Sequence, residues 1–295
     1  MKSILFNLFA ANALAENIES KCDLEHGEFI LHKFPDAETY IKINSDVHQR
    51  NVIILTQLND PDKKILSLLF MAETLKQLGA TRIGLVTPYL PYMRQDIAFH
   101  PGEGITSNYF AKLLSSYFDW LVTVDPHLHR HHKLSEIYSI PTRLIPAATA
   151  IAGWIKLQVK KGILIGPDQE SKQWVAEIAK IANAPYLVLE KVRYADREVK
   201  ITFPDLHFYQ HHQPILVDDI ISTGHTMMST IQHLEQMKFS APICIGVHAI
   251  FAANAYEQLL EMGVKTIITC NTITHASNQI DLSDGLCDGI MNILS

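Results

Sequence analysis

Short, continuously apolar runs rich in β-branched residues recur along the chain, separated by helix-length segments with an apolar face. The runs cover residues 52–55, 83–86, 121–124, 163–165, 186–189, 215–217, 243–247 and 266–268. Between them lie helical patterns such as residues 64–78, ended by Gly79, and 226–237, where Leu234 and Met237 fall on the face of Ile231. A further strand is predicted at residues 3–9, leading into a helix near Asn12 with Leu14 and Ile18 on one side. The opening residues loosely imitate a signal peptide, but Asn7 and Asn12 interrupt the apolar stretch. The alternation predicts an α/β protein whose mostly parallel sheets carry helices on both faces and bind ligands beyond the carboxyl ends of the strands.

So many strands are crowded for one sheet and comfortable for two, and 295 residues suit two domains at roughly 100–200 residues each. The boundary is expected near Pro146, giving domains of residues 1–146 and 147–295. At 47% hydrophobic and 19% charged the chain is too apolar for disorder, and no apolar run approaches the roughly 20 residues of a membrane helix. A formal charge of −6 does not favour a nucleic-acid backbone as partner. Cys22, Cys244, Cys270 and Cys287 show no C-x-x-C spacing, and are expected as reduced thiols in a cytoplasmic protein.

Chemistry is sought just beyond the carboxyl end of each strand. The segment Val217-Asp218-Asp219-Ile220-Ile221-Ser222-Thr223-Gly224-His225-Thr226 delivers two carboxylates and then a turn rich in Ser, Thr and Gly that opens into a helix. Helix N–H groups and hydroxyls suit a phosphate dianion, and the acids suit vicinal sugar hydroxyls. A plain helix cap would need one such residue rather than a cluster. The stretch resembles the phosphoribosyl pyrophosphate (PRPP) signature shared by phosphoribosyltransferases and ribose-phosphate pyrophosphokinases.

Other segments resemble the pyrophosphokinases in the same order, from near Phe34 to Asn271. Phe34-Pro35-Asp36-Ala37-Glu38 is similar to the family's acidic ATP element, and the run from Pro88 to Arg94-Gln95-Asp96 to its aromatic-proline loop. Arg94 offers a planar fork for phosphate or adenine, with a surface salt bridge to Asp96 as the alternative. In Asp125-Pro126-His127-Leu128-His129-Arg130-His131-His132, the resemblance marks His127 as a ligand of the magnesium that accompanies ATP. His129, His131 and His132 read as surface or loop residues and not as ligands. The resemblance also gives Asp168, in Gly166-Pro167-Asp168-Gln169, a share in magnesium binding, and Lys191 and Arg193 a place in a mobile catalytic loop. One carboxylate per hard cation is enough where substrate phosphates and water complete the shell.

The resemblance implies two similar phosphoribosyltransferase-like domains, the first serving ATP and the second ribose 5-phosphate and PRPP. It also implies a homo-oligomer in which the Phe34–Glu38 element reaches a neighbour's ATP. The implied reaction moves the β,γ-diphosphoryl group of ATP, with Mg²⁺, to the anomeric hydroxyl of ribose 5-phosphate. A phosphoribosyltransferase would not need the first domain. A non-catalytic regulatory homologue would not need His127, Asp168, Lys191 and Arg193, but His225 stands where the family usually has Gly, and Ser222 where Asp is frequent.

Overall fold

A computed structural model describes residues 2–128, 130–194, 198–202 and 207–295, with residues 170, 190–194, 198–202 and 207 described by backbone alone. Two compact units emerge. The first comprises Met1–Pro146, Thr272–Thr274 and Leu282–Ser295, the second Ala147–Asn271 and His275–Asp281.

In the first unit the strands are β1 (Ile4–Asn7), β2 (Glu25–His26), β3 (Phe29–Lys33), β4 (Thr39–Ile43), β5 (Asn51–Leu55), β6 (Arg82–Val86), β7 (Trp120–Val124) and β8 (Thr142–Ile145). Helices α1 (Asn12–Lys21), α2 (Pro61–Gln77) and α3 (Thr106–Tyr117) connect them. Six strands form a parallel sheet in the order β2-β1-β5-β6-β7-β8, and β3 pairs antiparallel with β4 as a separate hairpin. The continuous apolar runs are explained by burial on both faces: Val52, Ile53, Ile54 and Leu55 are all fully buried.

The second unit repeats the plan. Its elements are α4 (Ala148–Gln158), β9 (Gly162–Gly166), α5 (Lys172–Ala182), β10 (Tyr186–Val188), β11 (Glu190–Tyr194), β12 (Glu198–Thr202), β13 (Gln213–Ile221), α6 (His225–Gln236), β14 (Ile243–Ala249), α7 (Ala255–Glu261), β15 (Thr266–Cys270) and β16 (Asn278–Ile280). The parallel order is β10-β9-β13-β14-β15-β16, with β11 and β12 forming an antiparallel hairpin. Its core gathers Ile163, Ile165, Leu216, Met227, Ile231 and Leu234, so the predicted apolar face of the 226–237 helix is its buried face.

Two expectations need correction. The second domain was expected to run to residue 295, but the last helix, α8 (Ser283–Leu294), belongs to the first unit. It lies against β8, where a Cβ on Gly285 would stand 2.8 Å and one on Gly289 2.6 Å from Ile145 side-chain carbons. Cys22 and Cys287 were expected as free thiols, but they form a disulfide with Cα atoms 5.8 Å apart, while Cys244 and Cys270 are free and buried. The physical reason is the packing of α8 against α1, which brings residues 265 apart in sequence side by side. Lys21 bridges the same two helices, donating to the Ser283 hydroxyl at 2.8 Å.

Candidate functional site

In the second unit, β13 runs between β9 and β14. It extends four residues past the predicted run, so Asp218 and Asp219 lie within the strand and not after it. Each carboxylate accepts the next residue's backbone N–H: Asp219 N donates to Asp218 Oδ1 at 3.0 Å and Ile220 N to Asp219 Oδ1 at 2.8 Å. Asp168 follows the neighbouring strand β9, and parallel pairing of β9 with β13 brings both strand ends to one edge. Burial above all, then the charges of Asp219 and Asp168, holds the Asp218 carboxyl well above the usual range. Three acids are therefore crowded at the carboxyl ends of adjacent strands.

Asp168 also shapes its own turn, accepting the Ser171 N–H at 3.2 Å through Oδ1, while the Ser171 hydroxyl donates to the Asp168 carbonyl at 2.6 Å. The turn closes tightly on β9, because a Cβ at Gly166 would lie 2.4 Å from the Ser171 Oγ.

Beyond β13, Ser222 is half-buried, Thr223 exposed, and Gly224 caps α6 with φ of 71°. His225 is the first helical residue and exposed, Thr226 is half-buried, and Met227 anchors the helix in the core. The left-handed conformation thus falls on Gly224, and the position where the family usually has a second Gly needs none. The opening N–H groups of a helix have no intrahelical acceptor, so the loop has the makings of an anion seat.

In the first unit, Phe34–Glu38 is the exposed connection of the β3–β4 hairpin. It is closed by Phe34 N to Glu38 O at 2.8 Å and by Ala37 at φ 70°, with the Glu38 N–H donating to Asp36 Oδ1 at 3.2 Å. His32 stacks on Tyr40 at 4.5 Å and Phe34 meets both edge-on, yet Phe34 stays 45% exposed. Arg94 is exposed, whereas Gln95 accepts the Thr106 hydroxyl at 3.1 Å and tethers the loop to α3. Asp96 is buried and takes Arg130 as partner instead of Arg94, and the Arg130 guanidinium lies 5.3 Å from the Phe99 ring centre. Arg130 is a residue that sequence reasoning passed over, hidden among the histidines.

His127 is half-buried in the connection after β7. Glu136 engages two other members of the cluster, with His131 Nδ1 at 3.3 Å and the His132 N–H at 3.1 Å. His129 lies outside the described residues. Lys191 and Arg193 were anticipated in a loop but stand in β11, opposite Ile201 and Val199 of β12, and their side chains lie outside the description.

Residues 3–117 match the model of the N-terminal domain of ribose phosphate pyrophosphokinase, and residues 133–284 match that of the phosphoribosyl transferase domain. Among curated proteins, the chain is 30% identical to a ribose-phosphate pyrophosphokinase of Sulfurisphaera tokodaii, over 93% of this chain and 94% of that one. It is 32% identical to another from Sulfolobus acidocaldarius, covering 86% and 88%. In fold it is similar to the crystal structure of phosphoribosylpyrophosphate synthetase from Mycobacterium smegmatis, with a TM-score of 0.87 at 22% identity over 100% of this chain and 99% of that one. With two matching sheets in order along the chain and relatives aligned over nearly all of it, the chain belongs to the ribose-phosphate pyrophosphokinase family.

Proposed function

We infer that the chain transfers the β,γ-diphosphoryl group of ATP to the C1 hydroxyl of ribose 5-phosphate, yielding PRPP and AMP for nucleotide biosynthesis. The observation that carries this reading is the pairing of an acidic strand end, Asp218 and Asp219, with a Gly224-capped helix within a full-length family match. Ser222, Thr223, Gly224, His225 and Thr226 receive the 5-phosphate, and Asp218 and Asp219 accept the ribose hydroxyls. Asp36, Ala37, Glu38, Arg94 and Gln95 face ATP, with Asp96 holding their loop through Arg130. Lys191 and Arg193 meet charge developing on the transferred group.

Asp168 supplies one carboxylate near enough to Asp218 to raise that group's pKa, and one carboxylate suffices for a hard cation such as magnesium where substrate phosphates and water complete the shell. His127 and Asp168 would hold magnesium, His127 the ion that accompanies ATP. When bound, it neutralises phosphate charge. The protein's own share is positioning and electrostatic stabilisation, with the β-phosphorus in line between the sugar O1 and the departing AMP oxygen.

The exposed aromatic tip of the β3–β4 hairpin supports a homo-oligomer in which this element reaches a neighbour's nucleotide. No helix among the described residues is long and apolar enough to cross a membrane. The need for ATP argues for the cytoplasm, where the Cys22–Cys287 bond must survive reduction; thiol trapping in cells measures that. The deciding experiment is AMP release dependent on ribose 5-phosphate. AMP formed without the sugar phosphate, or none at all, would remove this function.

A further inference from the structure

Two non-glycine residues with left-handed backbone lie close together in the connection after β14, Phe251 with φ of 42° and Ala253 with φ of 55°. Such conformations are disfavoured for any residue with a Cβ and persist where the surroundings over-determine them. At Phe251 those surroundings are two further rings. Its ring centre is 5.1 Å from that of Tyr256 and 4.6 Å from that of His275, and Tyr256 and His275 are 4.7 Å apart, so three rings close on one another.

The third ring is itself anchored. His275 Nδ1 accepts the Ser277 N–H at 3.1 Å and lies 2.8 Å from the Ser277 hydroxyl, which is 2.7 Å from Thr269 Oγ1 in the buried part of β15. The His275 N–H donates to Asn278 Oδ1 at 2.9 Å.

The strained backbone has a definite target. Phe251 N–H donates to the Ile221 carbonyl at 2.8 Å and Ala252 N–H to the Ser222 carbonyl at 3.1 Å. Those carbonyls belong to the last residue of β13 and the first residue of the phosphate loop.

We propose that Phe251, Tyr256 and His275 are positioning residues for the sugar-phosphate loop. The rings hold residue 251 in its left-handed conformation, and the two N–H groups presented there preform the turn from Ile221 into Ser222. The proposal rests on reading Ser222 to Thr226 as the seat of the 5-phosphate. Its energetic meaning is a population: a loop left in the receiving conformation a tenth of the time binds about tenfold more weakly.

Glycine separates this from ordinary packing. Phe251→Ala removes the ring and keeps the strain, whereas Phe251→Gly removes the ring and the strain together. Ribose 5-phosphate binding is followed by titration calorimetry on the full chain, and KM and kcat by AMP release. Phe251→Ala is expected to raise Kd and KM for ribose 5-phosphate about tenfold, leaving kcat and the KM for ATP within about twofold. Phe251→Gly should recover most of that loss. Tyr256→Ala should repeat the Phe251→Ala effect and Tyr256→Phe should match the wild type, so the outcome does not hang on one variant folding. Unchanged sugar-phosphate affinity in both alanine variants, or a glycine variant weaker than Phe251→Ala, overturns the proposal and leaves the reaction assignment standing. A wild-type chain that binds no ribose 5-phosphate overturns both.

Discussion

The sulfurs of Cys22 and Cys287 are bonded, fastening the end of α1 to the buried face of α8 across 265 residues of chain. Closing so long a loop restricts the unfolded chain, and native disulfides typically contribute about 2–4 kcal/mol. Reduction with dithiothreitol, or Cys22→Ser, should lower the Tm by roughly 5–15 °C for a unit of this size. Scanning calorimetry with and without reductant checks this, and identical transitions would show the bond to be inconsequential.

Gly224 carries the positive φ of the turn that leads into α6, and His225 already sits in the helix. A Cβ on Gly224 would stand 3.5 Å from Leu259 Cδ1, an ordinary contact, so Gly224→Ala costs conformation and not collision, about 1 kcal/mol or more. The KM for ribose 5-phosphate should rise several-fold in Gly224→Ala and stay within about twofold in His225→Gly. A markedly lower KM in His225→Gly would instead locate strain at 225.

If Asp168 holds magnesium as proposed, Asp168→Asn should raise the magnesium concentration for half-maximal activity at least about tenfold, since it would remove an anionic ligand. The fold should hold, because an asparagine oxygen can still accept the Ser171 N–H that Asp168 now accepts. Titration of activity against Mg²⁺ reads this directly. An unaltered curve would take Asp168 out of the metal site.

Lys191→Ala should lower kcat by roughly 100- to 1000-fold with little change in substrate KM, the pattern of a contact made in the transition state. Steady-state AMP release provides the measurement. Turnover within about threefold of wild type, under 1 kcal/mol of barrier, would refute a catalytic role.

Burial holds the His275 imidazole below its usual pKa, with Glu257 pulling weakly the other way. The folded chain therefore resists a proton that the unfolded chain accepts below about pH 6.5. Stability should fall as pH drops through that value and be unaffected by this group above it. Comparing Tm between about pH 5 and 8 in wild type and His275→Gln isolates the contribution, and the wild type should show the steeper acid loss. Parallel curves would contradict it.

Local sequence determined the periodic elements, because strands buried on both faces of a parallel sheet need unbroken apolar runs such as residues 52–55 and 243–247. It also determined the strand–turn–helix segment proposed to take the phosphate, whose Gly, hydroxyl and carboxylate positions are contiguous from Asp218 to Thr226. Tertiary structure alone decided the rest. Strand adjacency brings Asp168 beside Asp218 from 50 residues away, and Asp96 chose Arg130 over its near neighbour Arg94 because buried carboxylates take the cation the fold delivers. The placement of α8 with the first unit and the Cys22–Cys287 bond share one cause. Each depends on segments far apart in sequence meeting on packed surfaces, and no periodicity or local spacing encodes which surfaces meet.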